Sequence, residues 1–231
     1  MTVPTRSAAT RPALSRDRVI QVALDVADAE GVEAVTMRRL AEGLHVHPTS
    51  LYNHVATKEA ILDGMADALI GEAGFPATFT DWSEWVHAMA VGLREIARAH
   101  PGAFLVLAER AAAGPFASSV SEAALDAFRR AGFTPAQASE AVAAVSLALL
   151  GVALNECPPT SPFSGTDPRE LPADQYPRIA EAVAVAPELG NSDGVWNLVV
   201  DSLIAGLTAR VAAPGPGSRG STHRLGQRVR R

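Results

Sequence analysis

The sequence predicts an all-α protein: a small N-terminal domain of three helices around a helix-turn-helix, followed by a larger helical domain, with nine or ten helices in all. Three observations predict it. Strand-like alternation of apolar and polar residues is missing along the 231 residues. Ala, Leu, Glu and Arg, all good helix formers, dominate the chain. Ser, Thr or Asp recurs just ahead of segments whose apolar residues fall every three or four positions.

The first helix opens at Ser15 as N-cap and closes at Gly31, with Ile20, Ala23, Leu24 and Ala27 forming one apolar stripe. Thr36 caps a short second helix through Leu44, and a third runs from His47 or Pro48 to His54. Thr57 caps a fourth, with Glu59 in its first turn and Ile61, Leu62, Met65 and Leu69 facing inward. Gly74 to Thr80 breaks the chain. Asp81, with Glu84 three positions on, starts a helix to Ala99. Pro101 restarts a short helix that Gly114-Pro115 ends, and another covers Phe116 to Arg130, closed by Gly132.

Thr134-Pro135-Ala136-Gln137 reads as a capping box with Pro at the first helical position. The helix it opens is apolar nearly all round from Ala141 to Leu154, which predicts burial on most sides. Residues 157–175 hold Pro158, Pro159, Pro162, Pro168 and Pro172 and form a long irregular connection. A short helix follows at Pro177–Ala186. The last starts at Ser192 or Asp193, with Val195, Leu198, Val199, Ser202, Leu203, Gly206 and Leu207 as its apolar stripe. Residues 1–14 read as a flexible arm and 214–231 as a disordered basic tail, which leaves domains at 15–65 and 66–213.

Composition narrows the function classes. Hydrophobic residues make up 48% of the chain and charged residues 19%, which excludes wholesale disorder. A single cysteine, Cys157, rules out an internal disulfide and a Cys-based zinc cage. The N-terminus lacks the apolar core of a secretory signal, and the longest uninterrupted apolar-and-small run, Ala141 to Leu154, falls short of the roughly 18 residues that span a bilayer. A cytoplasmic protein with no membrane partner is expected. The net charge of −5 argues at first against a nucleic-acid partner, but it is unevenly spread. Residues 1–60 are neutral, 61–213 carry −10 and 214–231 carry +5. An acidic body repels phosphates, whereas a neutral N-terminal region can approach them with locally placed cations.

The segment from Met37 to Val55 carries the functional signal. Leu40 and Leu44 form the inner face of one helix, Val46 and Leu51 plug the corner to the next, and Ala41 is small where the two helices approach. His45 stands at the turn position where Gly is expected, and His tolerates positive φ better than most side chains. The exposed face of the third helix reads Pro48, Thr49, Ser50, Tyr52 and Asn53, a set of mostly short or hydroxyl-bearing side chains suited to base edges in a major groove. Tyr52, His54 and Lys58 (the chain's single lysine) lie where they can bond phosphate oxygens, helped by the positive N-terminus of the fourth helix. Arg38, in the first turn of the second helix, can reach a flanking phosphate or base.

Thr36 through Lys58, followed by Glu59-Ala60-Ile61-Leu62-Asp63, resembles the DNA-binding domain of the TetR family of transcriptional regulators. The run Leu51-Tyr52-x-His54-Val55-x-x-Lys58 is similar to the signature of its tetracycline-repressor branch. The resemblance implies a homodimeric all-α repressor whose second domain binds a small-molecule effector. It implies dimerisation through a four-helix bundle, here from Thr134–Asn155 and Asp193–Val211. Its operator contacts fall on Arg38, Pro48, Thr49, Ser50, Tyr52, His54 and Lys58. The partners expected are therefore palindromic double-stranded operator DNA, a second copy of the chain and an effector of unknown identity.

Trp85, Met89, Phe104, Leu107, Phe128 and Asn155 are the candidate effector-binding residues: an aromatic and apolar set, with one polar group at the end of a buried helix. Where the branch has a metal-chelating histidine the sequence reads Ala103-Phe104-Leu105-Val106-Leu107-Ala108, so no magnesium chelate and no other cofactor is expected. His45, His47 and His54 lack an acidic or cysteine partner at ligand spacing, so no metal site is assigned to them. No Ser-His-Asp set, paired carboxylates or phosphate loop is recognisable, so no enzymatic activity is expected. The competing reading is a helical ligand-binding or protein-interaction module that no longer reads DNA.

Overall fold

The computed structural model describes residues 13–110, 114–157, 167–185 and 193–212. The expected arm (but for its last two residues), the basic tail and residues 158–166 of the long connection lie outside the described residues. Among the described residues there are ten α-helices and no strand: α1 Arg16–Glu30, α2 Met37–Leu44, α3 Pro48–Leu51, α4 Lys58–Glu72, α5 Trp82–Ala99, α6 Leu105–Glu109, α7 Pro115–Arg130, α8 Pro135–Ala153, α9 Pro177–Val185 and α10 Asp193–Ala212.

The caps form as the sequence predicts. The Ser15, Thr36 and Thr57 hydroxyls accept from the backbone N–H of Arg18, Arg39 and Ala60, and the Thr134–Gln137 capping box is closed in both directions. Each cap satisfies a helical N–H that would otherwise be orphaned. Glu84 reaches one residue further back than a capping box requires and accepts from Thr80 N–H, while Asp81 caps α5 through Ser83 and Glu84 N–H.

Four expectations need correction. The third helix stops at Leu51, and residues 52–54 continue only as a turn. Pro101 does not restart a helix; residues 101–104 form turns because Ala103 N–H is drawn to Asp28 Oδ1 on α1, at 2.9 Å, before α6 begins at Leu105. Helix α8 is not buried on most sides. Only Ala138, Ala141, Val145, Leu149 and Ala153 are buried, and Leu147 is 70% exposed. On α10 Trp196 and Val200 are buried, and Val199, Leu203 and Leu207 of the expected stripe pack partly against the core, whereas Leu198 of that stripe is 67% exposed. By length and apolarity alone, Pro135–Glu156 and Asp193–Val211 would pass for membrane spans, which a count of uninterrupted apolar residues misses. In this fold each packs one face into the bundle, α8 against α5, α7 and α10.

Helix α4 bridges the N-terminal helices and the larger bundle, packing on α1 at one side and on α5, α6 and α7 at the other. At its far end, the imidazole of His100 lies between two carboxylates, with Nδ1 2.6 Å from Asp28 Oδ2 of α1 and Nε2 2.7 Å from Glu72 Oε2 of α4. Behind α5 an aromatic cluster fills the core: Phe128 stacks on Trp82 at 5.5 Å and meets Trp85 and Phe133 edge-on. Glu156, in a 3₁₀ turn after α8, accepts from Arg94 Nε, Arg98 Nε and Trp196 Nε1 at 2.8, 3.1 and 3.0 Å, so one buried carboxylate fastens α8 and α10 to α5. Burial alone would push its pKa up, but the hydrogen bonds from Arg98, Trp196 and Arg94 hold it below the usual carboxylate range. Cys157 is fully buried, its thiol directed at Ala97 O at 3.5 Å, and burial raises its pKa to about 11.

Candidate DNA-binding surface and effector cavity

The corner that presents α3 is built from apolar contacts. Leu40, Ala41, Leu44, Leu51 and Val55 are all buried, with Val46 packed partly against them. Between α2 and α3 the chain turns at His45, with φ 56 and ψ 45, the left-handed conformation inferred for that position. This lets Val46 N–H return to Ala41 O at 3.0 Å and close the helix end. Arg39 binds Glu30 with both Nε and Nη2, at 2.9 and 2.6 Å, and thereby ties α2 to α1.

Three of the five side chains expected on the outer face, Thr49, Tyr52 and Asn53, are fully outward. Thr49, Tyr52, Asn53 and His54 are exposed, and Pro48, Ser50 and Lys58 are half-buried. Tyr52 is 56% exposed, a high value for an aromatic side chain. Because α3 ends early, Tyr52, Asn53 and His54 project from a turn beside the helix, next to Lys58 at the start of α4. Arg38 pairs with Glu42 at 3.1 Å, and both are exposed, so the pair is weak and open to exchange for a phosphate. One feature escapes sequence reasoning. His47 acts as the α3 N-cap, its Nδ1 accepting from Thr49 N–H at 3.4 Å and lying 2.8 Å from Thr49 Oγ1, which fixes the first exposed hydroxyl.

The larger domain holds an apolar cavity of about 390 Å³ between α4, α5, α6, α7 and α8. Of the predicted effector residues, Trp85, Met89 and Leu107 line it. Phe104, Phe128 and Asn155 do not. The turn at 101–104 carries Phe104 into the core, Phe128 stands behind Trp85 in the aromatic cluster, and Asn155 sits in the 3₁₀ turn with Glu156. The wall also includes Ile70, Leu93, Arg110, Val120, Ser121, Val142, Ser146 and Leu150. Ser146 was readable as the one hydroxyl inside the apolar run 141–154; Arg110 and Ser121 carry no such signal. The indole N–H of Trp85 is buried without an acceptor among the described residues. Among those residues Glu109 is the one carboxylate in the wall and no histidine joins it, a donor set that does not fit a chelated divalent metal.

Comparison with known proteins agrees with this geometry. Residues 19–65 match the family model described as bacterial regulatory proteins of the tetR family, and residues 75–211 match that of the tetracyclin repressor-like C-terminal domain. The chain is 32% identical, over 89% of both chains, to an HTH-type transcriptional regulator of Saccharopolyspora erythraea. The chain belongs to the TetR family.

It is also 28% identical to the class C tetracycline repressor of Escherichia coli, over 84% of this chain and 90% of that one. Among solved structures, ActR of Streptomyces coelicolor in complex with actinorhodin superposes with a TM-score of 0.72 at 28% identity, over 87% of this chain and all of that one. TetR-family regulators bind operator DNA and small-molecule effectors and are typically dimers. The protein is thus a ligand-responsive, DNA-binding transcriptional regulator.

Proposed function

We propose that the protein is a homodimeric cytoplasmic repressor that leaves a palindromic operator when an apolar, metal-free small molecule enters the α4–α8 cavity. One observation carries the DNA half of this reading: a rigid apolar corner holds Thr49, Ser50, Tyr52, Asn53 and His54 outward beside Lys58, with no partner surface among the described residues. In this reading Thr49 and Ser50 meet base edges, Pro48 packs against thymine methyls, and Arg38, Tyr52, His54 and Lys58 bond phosphates. Residues 15–65 form the DNA-binding domain and 66–213 the effector-binding and dimerisation domain.

Dimerisation is supported by apolar side chains left exposed on α10, Leu198 at 67% and Val211 at 39%. Apolar area of that kind is covered in the working state of a soluble protein. The cavity volume lies within the ordinary range for small-molecule sites, about 300–1,000 Å³. Its walls favour a ring-bearing apolar molecule with oxygen atoms for Ser121 and Ser146 and an acceptor for Trp85. Titrating the protein into labelled duplexes selected from a random pool tests the reading. Tight, salt-sensitive binding to a two-fold symmetric sequence, weakened at least tenfold by Tyr52→Ala and Lys58→Ala, is expected. Equal binding by both variants and the wild type would reject the surface and favour a module that does not read DNA.

A further inference from the structure

Thr49 carries the first exposed hydroxyl of α3, and its partner, His47, stands just outside the helix as the N-cap. One ring atom of His47, Nδ1, meets Thr49 twice: the backbone N–H at 3.4 Å and Oγ1 at 2.8 Å. The first contact fixes the chemistry of the second. A backbone N–H can only donate, so Nδ1 presents its lone pair and the neutral ring carries its proton on Nε2. A bare Nδ1 has nothing to give to Oγ1, so the 2.8 Å contact is a hydrogen bond from the hydroxyl to the ring. The single proton of the Thr49 hydroxyl is thereby spent inward. What remains to face outward is a pair of acceptor lone pairs. Ser50 differs: its backbone N–H bonds His47 O at 2.9 Å, but no described residue holds its hydroxyl.

We infer that His47 is a specificity-determining positioning residue, which makes Thr49 an acceptor only, so that Thr49 reads adenine or cytosine on the strand it faces and rejects guanine or thymine. The inference rests on the DNA-binding reading above, in which Thr49 meets a base edge. In the major groove adenine and cytosine present amino donors, N6 and N4, whereas guanine O6 and thymine O4 accept. A hydroxyl free to rotate, such as that of Ser50, serves either kind. The locked hydroxyl of Thr49 sets lone pair against lone pair when it faces a keto base, or must give up its bond to His47 to turn its proton outward. His47 acts through Thr49 and need not touch DNA to do so.

The pattern this predicts is distinctive. Every base pair holds one amino and one keto base in the major groove, so inverting a pair exchanges the two at Thr49 without changing base composition. Exchanging adenine for cytosine on the same strand keeps the amino group. The test uses the full chain at pH 8, where a histidine side chain is ordinarily neutral. Competition titrations compare the duplex selected by the wild type with duplexes in which one pair is replaced symmetrically in both half-sites. The pair read by Thr49 is the one whose preference Thr49→Val, which removes the hydroxyl and keeps the shape, abolishes. There the wild type should favour the amino base over the keto base by about fivefold or more, and adenine and cytosine should differ by less.

His47→Ala should reduce that preference to within about twofold, and adding it to Thr49→Val should change the preference no further. His47→Asn, whose carbonyl oxygen can cap α3 and accept from the hydroxyl as well, should keep the preference. Thermal melting will identify a variant that has lost the fold, and a purely structural role of His47 would weaken binding to all duplexes alike. Wild-type preference in His47→Ala, a hydroxyl-dependent preference for guanine or thymine, or a Thr49→Val protein that discriminates every pair as the wild type does would each overturn the inference. In all three cases weakened binding by Tyr52→Ala and Lys58→Ala would leave the DNA-binding surface standing. Unweakened binding by those two variants would overturn the surface, and the role of His47 with it.

Discussion

Replacing His100 by glutamine tests the junction between α1, α4 and α5. Both imidazole nitrogens face carboxylates, at 2.6 and 2.7 Å, so both must carry a proton for both contacts to be hydrogen bonds. Burial pulls the imidazole pKa down, but the hydrogen bonds to Asp28 and Glu72 and their charges outweigh it, and the net shift is upward. A histidine raised in the folded state contributes stability that is fully present below its unfolded value of about 6.5 and is lost as pH rises through its folded value.

Hydrogen bonds to charged groups are worth about 1.5–3 kcal/mol each. Allowing for the partial exposure of Glu72 and the single amide donor retained by glutamine, His100→Gln should cost about 2–3 kcal/mol near pH 6. For a chain of this size that lowers Tm by about 4–12 °C. Melting curves of both proteins from pH 5.5 to pH 9 should converge towards the alkaline end, as the wild-type imidazole loses its second proton. A difference that stays constant or widens with rising pH would refute the assignment of a doubly bonded imidazolium.

Other consequences can be checked separately. Lys58→Gln should reduce the salt dependence of DNA binding by about 0.9 in log–log slope for each phosphate left without its cation, so by about 1.8 for a dimer; an unchanged slope would show that Lys58 meets no phosphate. Leu51 is wholly buried at the corner, and Leu51→Ala should destabilise the protein by about 2–5 kcal/mol in denaturant titrations while also weakening DNA binding. Leu198→Glu places a charge on an exposed position of α10, so it should leave the monomer fold unaltered by circular dichroism yet halve the mass seen in sedimentation. A dimer that persists in this variant would place the subunit interface elsewhere.

What the sequence disclosed, and what it hid, follows the range of the forces involved. The caps at Ser15, Thr36, Thr57 and Thr134 and the turn at His45 depend on residues within a few positions, and all were legible. The exposure of Thr49, Tyr52, Asn53 and His54 was legible for the same reason, since a short helix held by Leu40, Leu44 and Leu51 leaves few ways to point. The early end of α3 is a boundary, the least readable feature of any helix. The inner face of α10 was read only in part, at Val199, Leu203 and Leu207, because several faces of the helix are apolar and periodicity cannot tell one that meets the core at Trp196 from one left open at Leu198. Phe104 was misplaced by a turn that answers to Asp28, 75 positions away in sequence. The cavity draws its wall from five helices, and no local pattern links Arg110, Ser121 and Ser146.

The sealed position of Cys157 has a practical consequence. With its sulfur packed against backbone and its proton held to about pH 11, the native thiol is inert to alkylating reagents at neutral pH. A cysteine installed at Asn53 would then be the sole reactive thiol on each subunit. Spin labels or fluorophores attached there could follow the separation of the two Asn53 positions in the proposed dimer, with no need to remove the natural cysteine first.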